Sequence, residues 1–154
     1  MANVKIDYSE NADRIPGFLL WQVSKLWQRC LADALVDLKI SSTQAVILGN
    51  VVRLSGQNKA VTQIMLSEST KVDPMTISQA IRTLERKKLV KRVAAQSDKR
   101  AYHVQATAKG LEVTDQALQR FVAAHEAFFE PLKDDLESFA LQLQQLVEAS
   151  RSSE

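Results

Sequence analysis

The segment from Val72 to Arg92 reads VDPMTISQAIRTLERKKLVKR and predicts an amphipathic helix that ends in a basic cluster. Asp73 is a favoured N-cap residue, and Pro74 suits the first helical position because its missing N–H has no partner there. At about 100° per residue, one side of this helix is apolar and predicts a buried face. That face comprises Ile77, Ala80, Ile81 and Leu84. The opposite side carries Met75, Gln79, Arg82 and Arg86, with Thr76, Ser78 and Thr83 on its flanks.

The polar side of this helix differs from an ordinary solvated face, which favours paired Glu and Lys. Short hydroxyls, an amide and a methionine come first, and arginines follow. Glutamine can pair with adenine and arginine with guanine in the major groove of DNA, and Met75 could touch a thymine methyl. The alternative is an exposed helix whose polar residues have no partner. The candidate DNA-binding residues of the helix are Met75, Thr76, Ser78, Gln79, Arg82 and Arg86.

A β-hairpin is predicted after this helix, because residues 90–94 and 101–106 read as two short strands. The tip between them, AQSDKR, is polar and charged. Arg100 near the tip could enter a narrow minor groove, and Asp98 would orient its guanidinium group. The alternative is an ordinary surface ion pair. The candidate DNA-binding residues of the hairpin are Lys91, Arg92, Asp98, Lys99 and Arg100.

Five further helices are predicted from apolar spacing and capping residues. They are a helix from Ile15 to Leu38, one capped by Ser41 with Gln44, a short one capped by Thr62, one from Thr107 to about Glu130, and one that starts at Pro131. Ile64 and Leu66 are expected to anchor the short helix on the core, with Met65 as a further candidate. The order of elements predicts a mainly α protein with a small β-hairpin wing. In it, a winged helix-turn-helix core is flanked by N- and C-terminal helices.

Length and charge place limits on the function. The 154 residues fit one domain. Residues 71–103 carry nine Lys or Arg against three Asp or Glu, whereas residues 104–154 carry four against nine. This basic island predicts a polyanionic partner, and the alternative is a solvated basic face. The polar N-terminus and the short apolar runs predict no signal peptide and no membrane span. We therefore expect a cytoplasmic protein.

Chemistry-bearing residues are few. Cys30 is the only cysteine and there are two histidines. No phosphate-binding loop, dinucleotide fingerprint, zinc-protease motif or nucleophile elbow occurs in the sequence. We therefore expect no enzyme activity, no metal site and no cofactor.

The stretch VTQIMLSESTKVDPMTISQAIRTLERKKLVKRVAAQSDKRAYHVQATAKG resembles the core of MarR-type transcriptional regulators. Its middle part resembles the recognition helix and first wing strand, and SDKRAYHVQATAKG resembles the D-x-R wing and T-x-K-G helix start. The resemblance implies a homodimeric repressor or activator that binds palindromic, double-stranded promoter DNA through residues 40–107. Residues 14–39 and 108–150 would form dimerisation helices. The candidate interface residues are Phe18, Leu19, Phe128, Leu132, Leu136, Phe139, Leu143 and Leu146.

Regulation is less specified by the sequence. The resemblance implies a small aromatic or anionic effector that releases the DNA, or an oxidant sensed by a cysteine. Cys30 lies on the apolar stripe of the first helix, so a core residue is expected, with a redox-responsive regulator as the alternative. His103 is expected to face solvent or DNA. His125 is expected to be a core or interface residue, with a ligand or pH-sensitive group as the alternative. Trp21 and Trp27 are expected in core or dimer contacts, with the lining of a ligand pocket as the alternative. The alternative function is a winged-helix protein-interaction module without specific DNA binding.

Overall fold

The computed structural model describes residues 14–94 and 102–151, which form six α-helices and one two-stranded sheet. A winged helix-turn-helix core lies between long terminal helices, as the sequence predicts. The elements are α1 (Pro16–Leu35), α2 (Ser42–Gly56), α3 (Gln63–Thr70), α4 (Pro74–Arg86), β1 (Val90–Ala94), β2 (Tyr102–Ala106), α5 (Ala108–Phe129) and α6 (Leu136–Arg151). Short 3-10 turns follow α1 at Val36–Leu38 and α5 at Glu130–Leu132.

The core of the winged helix-turn-helix is built where α4 packs against α2 and α3. The predicted apolar face of α4 is confirmed, because none of its four side chains is more than 6% exposed. Burying an aliphatic side chain of this size contributes roughly 1.5–3 kcal/mol, so the set holds α4 in one rotational orientation. The large side chains that are fully buried here are Ile47, Leu48, Leu66, Ile77, Ile81 and Leu84.

Side-chain caps begin four helices at the residues that the sequence indicates. The Ser41 hydroxyl accepts a hydrogen bond from the Gln44 backbone N–H at 3.1 Å, and the Gln44 side chain accepts one from the Ser41 backbone N–H at 3.4 Å. This is the predicted capping box. Thr62, Asp73 and Thr107 each accept a bond from the backbone N–H three residues on. The caps satisfy N–H groups that have no partner inside their own helix.

The wing strands β1 and β2 pair antiparallel, with Val90 opposite Ala106 and Ala94 opposite Tyr102. Val104 in β2 is fully buried, and its N–H donates to the Val61 carbonyl at 2.8 Å. The segment before α3 therefore joins the wing to the helical core at one backbone hydrogen bond.

The terminal helices α1 and α5 pack together around Trp27. Arg120 of α5 adds an ion pair with Asp37 at 3.3 Å, just beyond the end of α1. Aromatic contacts of this kind favour edge-to-face and offset geometries, as found here. The rings within 6.2 Å of the Trp27 ring, centroid to centroid, are those of Phe121, His125, Phe128 and Phe129.

Two sequence predictions are wrong. The last helix begins at Leu136 and not at Pro131, because hydrogen bonds from Lys133 to Glu130 and from Asp135 to Leu132 close tighter turns first. Ile64 does not anchor α3, since it is 70% exposed while Leu66 is fully buried. Two residues that are two positions apart lie about 200° apart around a helix, so both cannot face one core.

Large apolar side chains remain exposed on the terminal helices. Those at least half exposed on α1, α5 and α6 are Leu20, Trp21, Leu26, Leu118, Leu141 and Leu146. No single helix within the described ranges is long and apolar enough to cross a bilayer. The segments Pro16–Leu38 and Ser42–Gly56, which meet at an angle of 76°, reach the length and apolar composition of a membrane span only when they are taken together.

The start of α5 lies against the end of the turn that follows α4. A Cβ atom placed on Gly110 would lie 2.0 Å from the Leu89 carbonyl oxygen. The Thr107 N–H donates to that same oxygen at 3.0 Å, and the Thr107 hydroxyl donates to the Lys88 carbonyl at 2.7 Å. Gly110 is thus required by the close approach of two backbones.

We expect Gly110→Ala to lower the free energy of unfolding by about 1–3 kcal/mol, because the added methyl must displace the Leu89 backbone. Gly49→Ala in α2 is the matched control, since nothing lies within 4 Å of a Cβ there. Alanine at position 49 should raise stability by up to about 1 kcal/mol. Urea unfolding of both variants measures the difference, and equal stabilities would contradict this account of the junction.

Candidate nucleic-acid interface

The orientation of α4 is fixed at its N-terminus by the turn that follows α3. Lys71 adopts the left-handed conformation with φ 58°, which ends α3, and the Ser67 hydroxyl donates to the Val72 carbonyl at 2.7 Å. Asp73 then accepts the Thr76 backbone N–H at 2.9 Å. Hydrogen bonds from Thr76, side chain first and backbone second, lower the pKa of the Asp73 carboxyl group. The cap is therefore an ionised carboxylate at neutral pH.

The face of α4 opposite the core is exposed. Met75, Gln79, Arg82 and Arg86 are exposed, and Thr76 and Ser78 on the flanks are half-buried, so the predicted sidedness is confirmed. The Arg86 guanidinium donates to the Thr83 hydroxyl at 3.2 Å, which orients it along the helix. A shallow groove of about 520 Å³ follows this face and is lined by Gln79, Arg82, Thr83, Glu85 and Arg86.

Arg92 in β1 is held against the protein and not extended into solvent. Its Nε lies 3.4 Å from the Glu85 carboxylate of α4, and its guanidinium lies 4.7 Å from the centroid of the Tyr102 ring. The Tyr102 hydroxyl in turn accepts a hydrogen bond from Gln63 at 2.7 Å. Arg92 therefore lies between the wing and α4, and Tyr102 makes the contact with α3. The Nε atom and one terminal nitrogen of Arg92 are buried without a hydrogen-bond partner among the described residues. The neighbouring Lys91 is exposed on the other side of the strand.

Hydrogen bonds from Lys87 hold the C-terminal end of α4. The Lys87 ammonium donates to the Lys39 carbonyl at 2.5 Å and to the Gln44 side chain at 3.0 Å. Lys39 lies in the connection between α1 and α2, so this contact joins the end of α4 to the boundary with the terminal helices. This role of Lys87 is not predictable from the sequence, because the partners are 48 and 43 residues apart and no local pattern signals them.

A separate cleft of about 470 Å³ lies between α1, α2 and α5, and its lining is mainly apolar. Leu31 and Phe121 line it from the terminal helices. Gly49 lines it from α2, where nothing lies within 4 Å of a Cβ and φ is not positive. Arg53 also lines the cleft, and its guanidinium donates to the Asn50 side chain at 2.8 Å. The cleft thus combines an apolar interior with an exposed arginine, and an aspartate carboxylate is also part of its lining.

Comparisons with known proteins agree with this geometry. A sequence profile of the MarR family matches residues 36–101. The uncharacterised HTH-type transcriptional regulator YdcH of Bacillus subtilis is 33% identical over 114 residues, which span 74% of this chain and 78% of that protein. The chain belongs to the MarR family of transcriptional regulators. The sequence resemblance to this family is thereby confirmed.

Solved MarR-family structures share the fold along most of the chain. CouR from Rhodococcus jostii RHA1, bound to p-coumaroyl-CoA, is 27% identical with a TM-score of 0.76. The match covers 90% of this chain and 95% of CouR. A mutant of MarR from E. coli in complex with operator DNA is 24% identical with a TM-score of 0.77, covering 88% of this chain and 96% of that one. The MarR fold therefore extends through the terminal helices.

The remaining MarR-like site residues are placed as follows. Asp98, Lys99 and Arg100 of the wing tip lie outside the described residues. Among the predicted dimerisation residues, Phe18, Leu19, Leu132 and Leu146 are exposed, whereas Phe128, Leu136, Phe139 and Leu143 are half-buried. Leu132 lies in the 3-10 turn and not in the last helix.

The histidines and the cysteine of this MarR-family chain are half-buried. His125 stacks on Phe121 and contacts Phe129, in keeping with a core or interface position. The prediction that His103 faces solvent or DNA is only partly correct, because its Nδ1 is buried and has no hydrogen-bond partner among the described residues. Within the described ranges, no group of three or more His, Cys, Asp or Glu side chains is placed to hold a metal ion. The role of Cys30 stays a prediction.

Proposed function

We propose that this MarR-family regulator is a homodimeric repressor that binds palindromic promoter DNA and is released by a small ligand. The observation that carries the proposal is the two-sidedness of α4. One face is fully committed to the core, and the other presents Gln79, Arg82 and Arg86 without apolar cover. A helix with this composition can enter the major groove and contact base edges. The DNA complex of the structurally similar MarR from E. coli supports this choice.

The recognition helix and the wing would make different kinds of contact with DNA. Gln79 and Arg82 lie at the centre of the exposed face and would contact bases, with Met75, Thr76, Ser78 and Arg86 beside them. Lys91 would neutralise a phosphate, as would Lys99. Arg100, oriented by Asp98, would enter the minor groove. Phosphate contacts fix position and base contacts give specificity, so the two groups should differ in their effects on binding.

Arg92 has a different proposed role from Lys91. Its guanidinium group lies between the Glu85 carboxylate and the Tyr102 ring, and its side chain is 28% exposed. We propose that Arg92 sets the angle between the wing and the recognition helix and does not bind a phosphate itself. This replaces the sequence-based expectation of a direct phosphate contact with a positioning role.

A second copy of the chain is the proposed partner of the exposed apolar surface. The large apolar side chains on α1, α5 and α6 would be costly to leave in water, and a two-fold arrangement buries the same surface on both chains. Within the chain, α6 meets α5 at Phe139, whose ring centroid lies 6.4 Å from that of Phe129. A dimer would place two recognition helices about one turn of DNA apart, which matches a palindromic site.

The cleft between α1, α2 and α5 is the proposed effector site. Its apolar lining suits an aromatic body, and Arg53 could pair with a carboxylate or phosphate. The complex of CouR with p-coumaroyl-CoA supports an effector of this class. Because the cleft lies between the terminal helices and the DNA-binding core, a ligand there would shift α2 relative to α1 and α5. We propose no catalytic activity and no cofactor, and we place the protein in the cytoplasm with the chromosome.

The proposed base contacts and phosphate contacts predict different effects of substitution on DNA binding. We expect Arg82→Ala to reduce the preference for one base pair by about 1–3 kcal/mol, because a bidentate base contact is lost. Lys91→Ala should weaken binding to all sequences and reduce the salt dependence, the slope of log affinity against log salt, by about 1. Fluorescence anisotropy on the promoter fragment upstream of its own gene, at several salt concentrations, measures both.

Arg92→Ala serves as the comparison for Lys91→Ala. Arg92→Ala should weaken DNA binding without changing the salt slope. Glu85→Gln should have the same effect, since both substitutions remove the ion pair between the wing and α4. A smaller salt slope for Arg92→Ala, like that of Lys91→Ala, would show that Arg92 binds a phosphate directly. Undiminished specific binding by Arg82→Ala would contradict the docking of α4 in the major groove.

The dimer has its own test. Light scattering at micromolar concentration should give twice the mass of one 17.2 kDa chain. Leu146→Glu, which adds a charge to exposed apolar surface of α6, should give a monomer with unchanged helix content by circular dichroism. Leu146→Met is the matched control and should stay dimeric. A monomeric wild-type protein, or a dimer that tolerates Leu146→Glu, would argue against this interface.

If the effector binds in this cleft, a side chain that fills the cleft should prevent the ligand from releasing DNA. Gly49→Leu introduces a side chain into the cleft, and the open space around a Cβ at Gly49 allows the helix to keep its course. We expect an aromatic carboxylate or its CoA thioester to release DNA from the wild type. The same ligand should release at least about tenfold less DNA from Gly49→Leu. Gly49→Ala should respond like the wild type. Equal release from Gly49→Leu would place the effector elsewhere.

A further inference from the structure

A second cavity lies on the other side of the DNA-binding core, where α2 ends and β2 begins. Its volume is about 570 Å³, and its walls come from the end of α2, the segment 58–61, β2 and the first turn of α5. Val52 lines both this cavity and the effector cleft, but the remaining walls differ. We refer to it as the wing cavity, because β2 is the returning strand of the wing.

The wing cavity combines an apolar floor with a rim that carries one lysine. Val61 and Val104 are buried in its floor, and Leu111 of α5 is half exposed beside them. Lys59 and His103 are the titratable residues among those that line it, and none of the described lining residues carries a carboxylate. Apolar concave surface with a few fixed polar groups is the usual form of a small-molecule site. The positive charge of Lys59 favours an anion.

The shape of the wing cavity is fixed by the backbone. After α2, the N–H groups of Asn58 and Lys59 donate to the carbonyls of Ser55 and Leu54 at 3.0 and 3.3 Å. Opposite them, the backbone bond from Val104 to Val61 holds β2 in place. A site whose walls are already ordered requires little reorganisation on binding.

His103 contributes an unsatisfied polar group to the wall. Its Nδ1 is buried and has no hydrogen-bond partner among the described residues, which is uncommon and unfavourable for a polar atom. The torsion that turns a histidine ring is soft, so a ring rotation can bring this nitrogen to the cavity surface. A bound carboxylate would then accept a hydrogen bond from Nδ1 in the tautomer that carries the proton there.

Gly56 keeps the wing cavity open without a structural need for glycine. It is the last residue of α2, its φ is not positive, and nothing lies within 4 Å of a Cβ placed on it. Glycine is a poorer helix former than almost any other residue, so neither conformation nor packing accounts for it. Gly56 lines the wing cavity, so we expect a large side chain at this position to reduce its volume.

We propose that the wing cavity binds a small organic anion with an apolar body, such as an aromatic carboxylate, at a site distinct from the effector cleft. The anion lies against Lys59 and His103 and its body against Val61 and Leu111. Because His103 pairs with Val93 across the wing, an occupant contacts the strand that positions the wing. This consequence for DNA rests on the proposed function, whereas binding of the anion does not.

The experiment uses the side-chain signals of the two histidines, His103 and His125, in the full-length protein by NMR. Benzoate is the probe, and benzamide is its uncharged counterpart. We expect a saturable shift of the His103 signals with benzoate and an affinity at least about tenfold weaker for benzamide. Gly56→Leu should abolish the shift, and Lys59→Gln should weaken benzoate binding. Gly49→Leu, which fills the other cleft, should leave the His103 response unchanged.

The contrary outcomes are equally specific. An unmoved His103 in the presence of benzoate, a shift that survives Gly56→Leu, or one lost in Gly49→Leu would each overturn the proposal. Lys59→Gln changes an exposed side chain, so it keeps the test decisive even if Gly56→Leu disturbs folding. Anisotropy with promoter DNA separates the two claims. If benzoate binds at His103 while DNA affinity is constant, the site stands and its coupling to the wing is excluded.

Discussion

The burial of one face of α4 against α2 and α3 is the contact on which the rest of the molecule depends. Ile77, Ile81 and Leu84 have no exposed surface, so the helix cannot rotate without uncovering them. Their burial decides that Gln79 and Arg82 point outward. The hydrogen bond from Lys87 to Gln44 then holds the C-terminal end of α4 against α2, while the Asp73 cap fixes where α4 begins. A rigid scaffold that presents a few polar side chains is what recognition of base edges requires.

The fold was largely predictable because the deciding signals are local. The apolar stripe of α4 repeats at helical spacing, and Ser41, Thr62, Asp73 and Thr107 are capping residues whose partners lie three positions away. Such signals act within one helix and need no knowledge of the tertiary structure. Ile64 shows the limit of this approach. In a helix of eight residues, composition alone does not decide which apolar side chain faces the core.

The candidate site was less predictable, because its geometry depends on contacts between distant segments. Arg92 resembles the other wing cations in the sequence, yet its guanidinium group packs against Glu85 and Tyr102. Lys71 ends α3 in a left-handed conformation that glycine usually supplies, so the sequence carries no stop signal there. Gly110 was part of a recognisable motif, but only the approach of the Leu89 carbonyl gives it a physical reason. The two cavities beside α2 likewise arise from packing and not from any motif.

The central claim is that α4 lies in the major groove of DNA, once in each half of a palindrome. Dimethyl sulfate protection tests it directly, because this reagent methylates guanine N7 in the major groove and adenine N3 in the minor groove. With wild-type protein on its operator, we predict guanine N7 protection in two half-sites about one helical turn apart, and its loss with Arg82→Ala. Protection confined to adenine N3, or to a single unpaired site, would contradict the account.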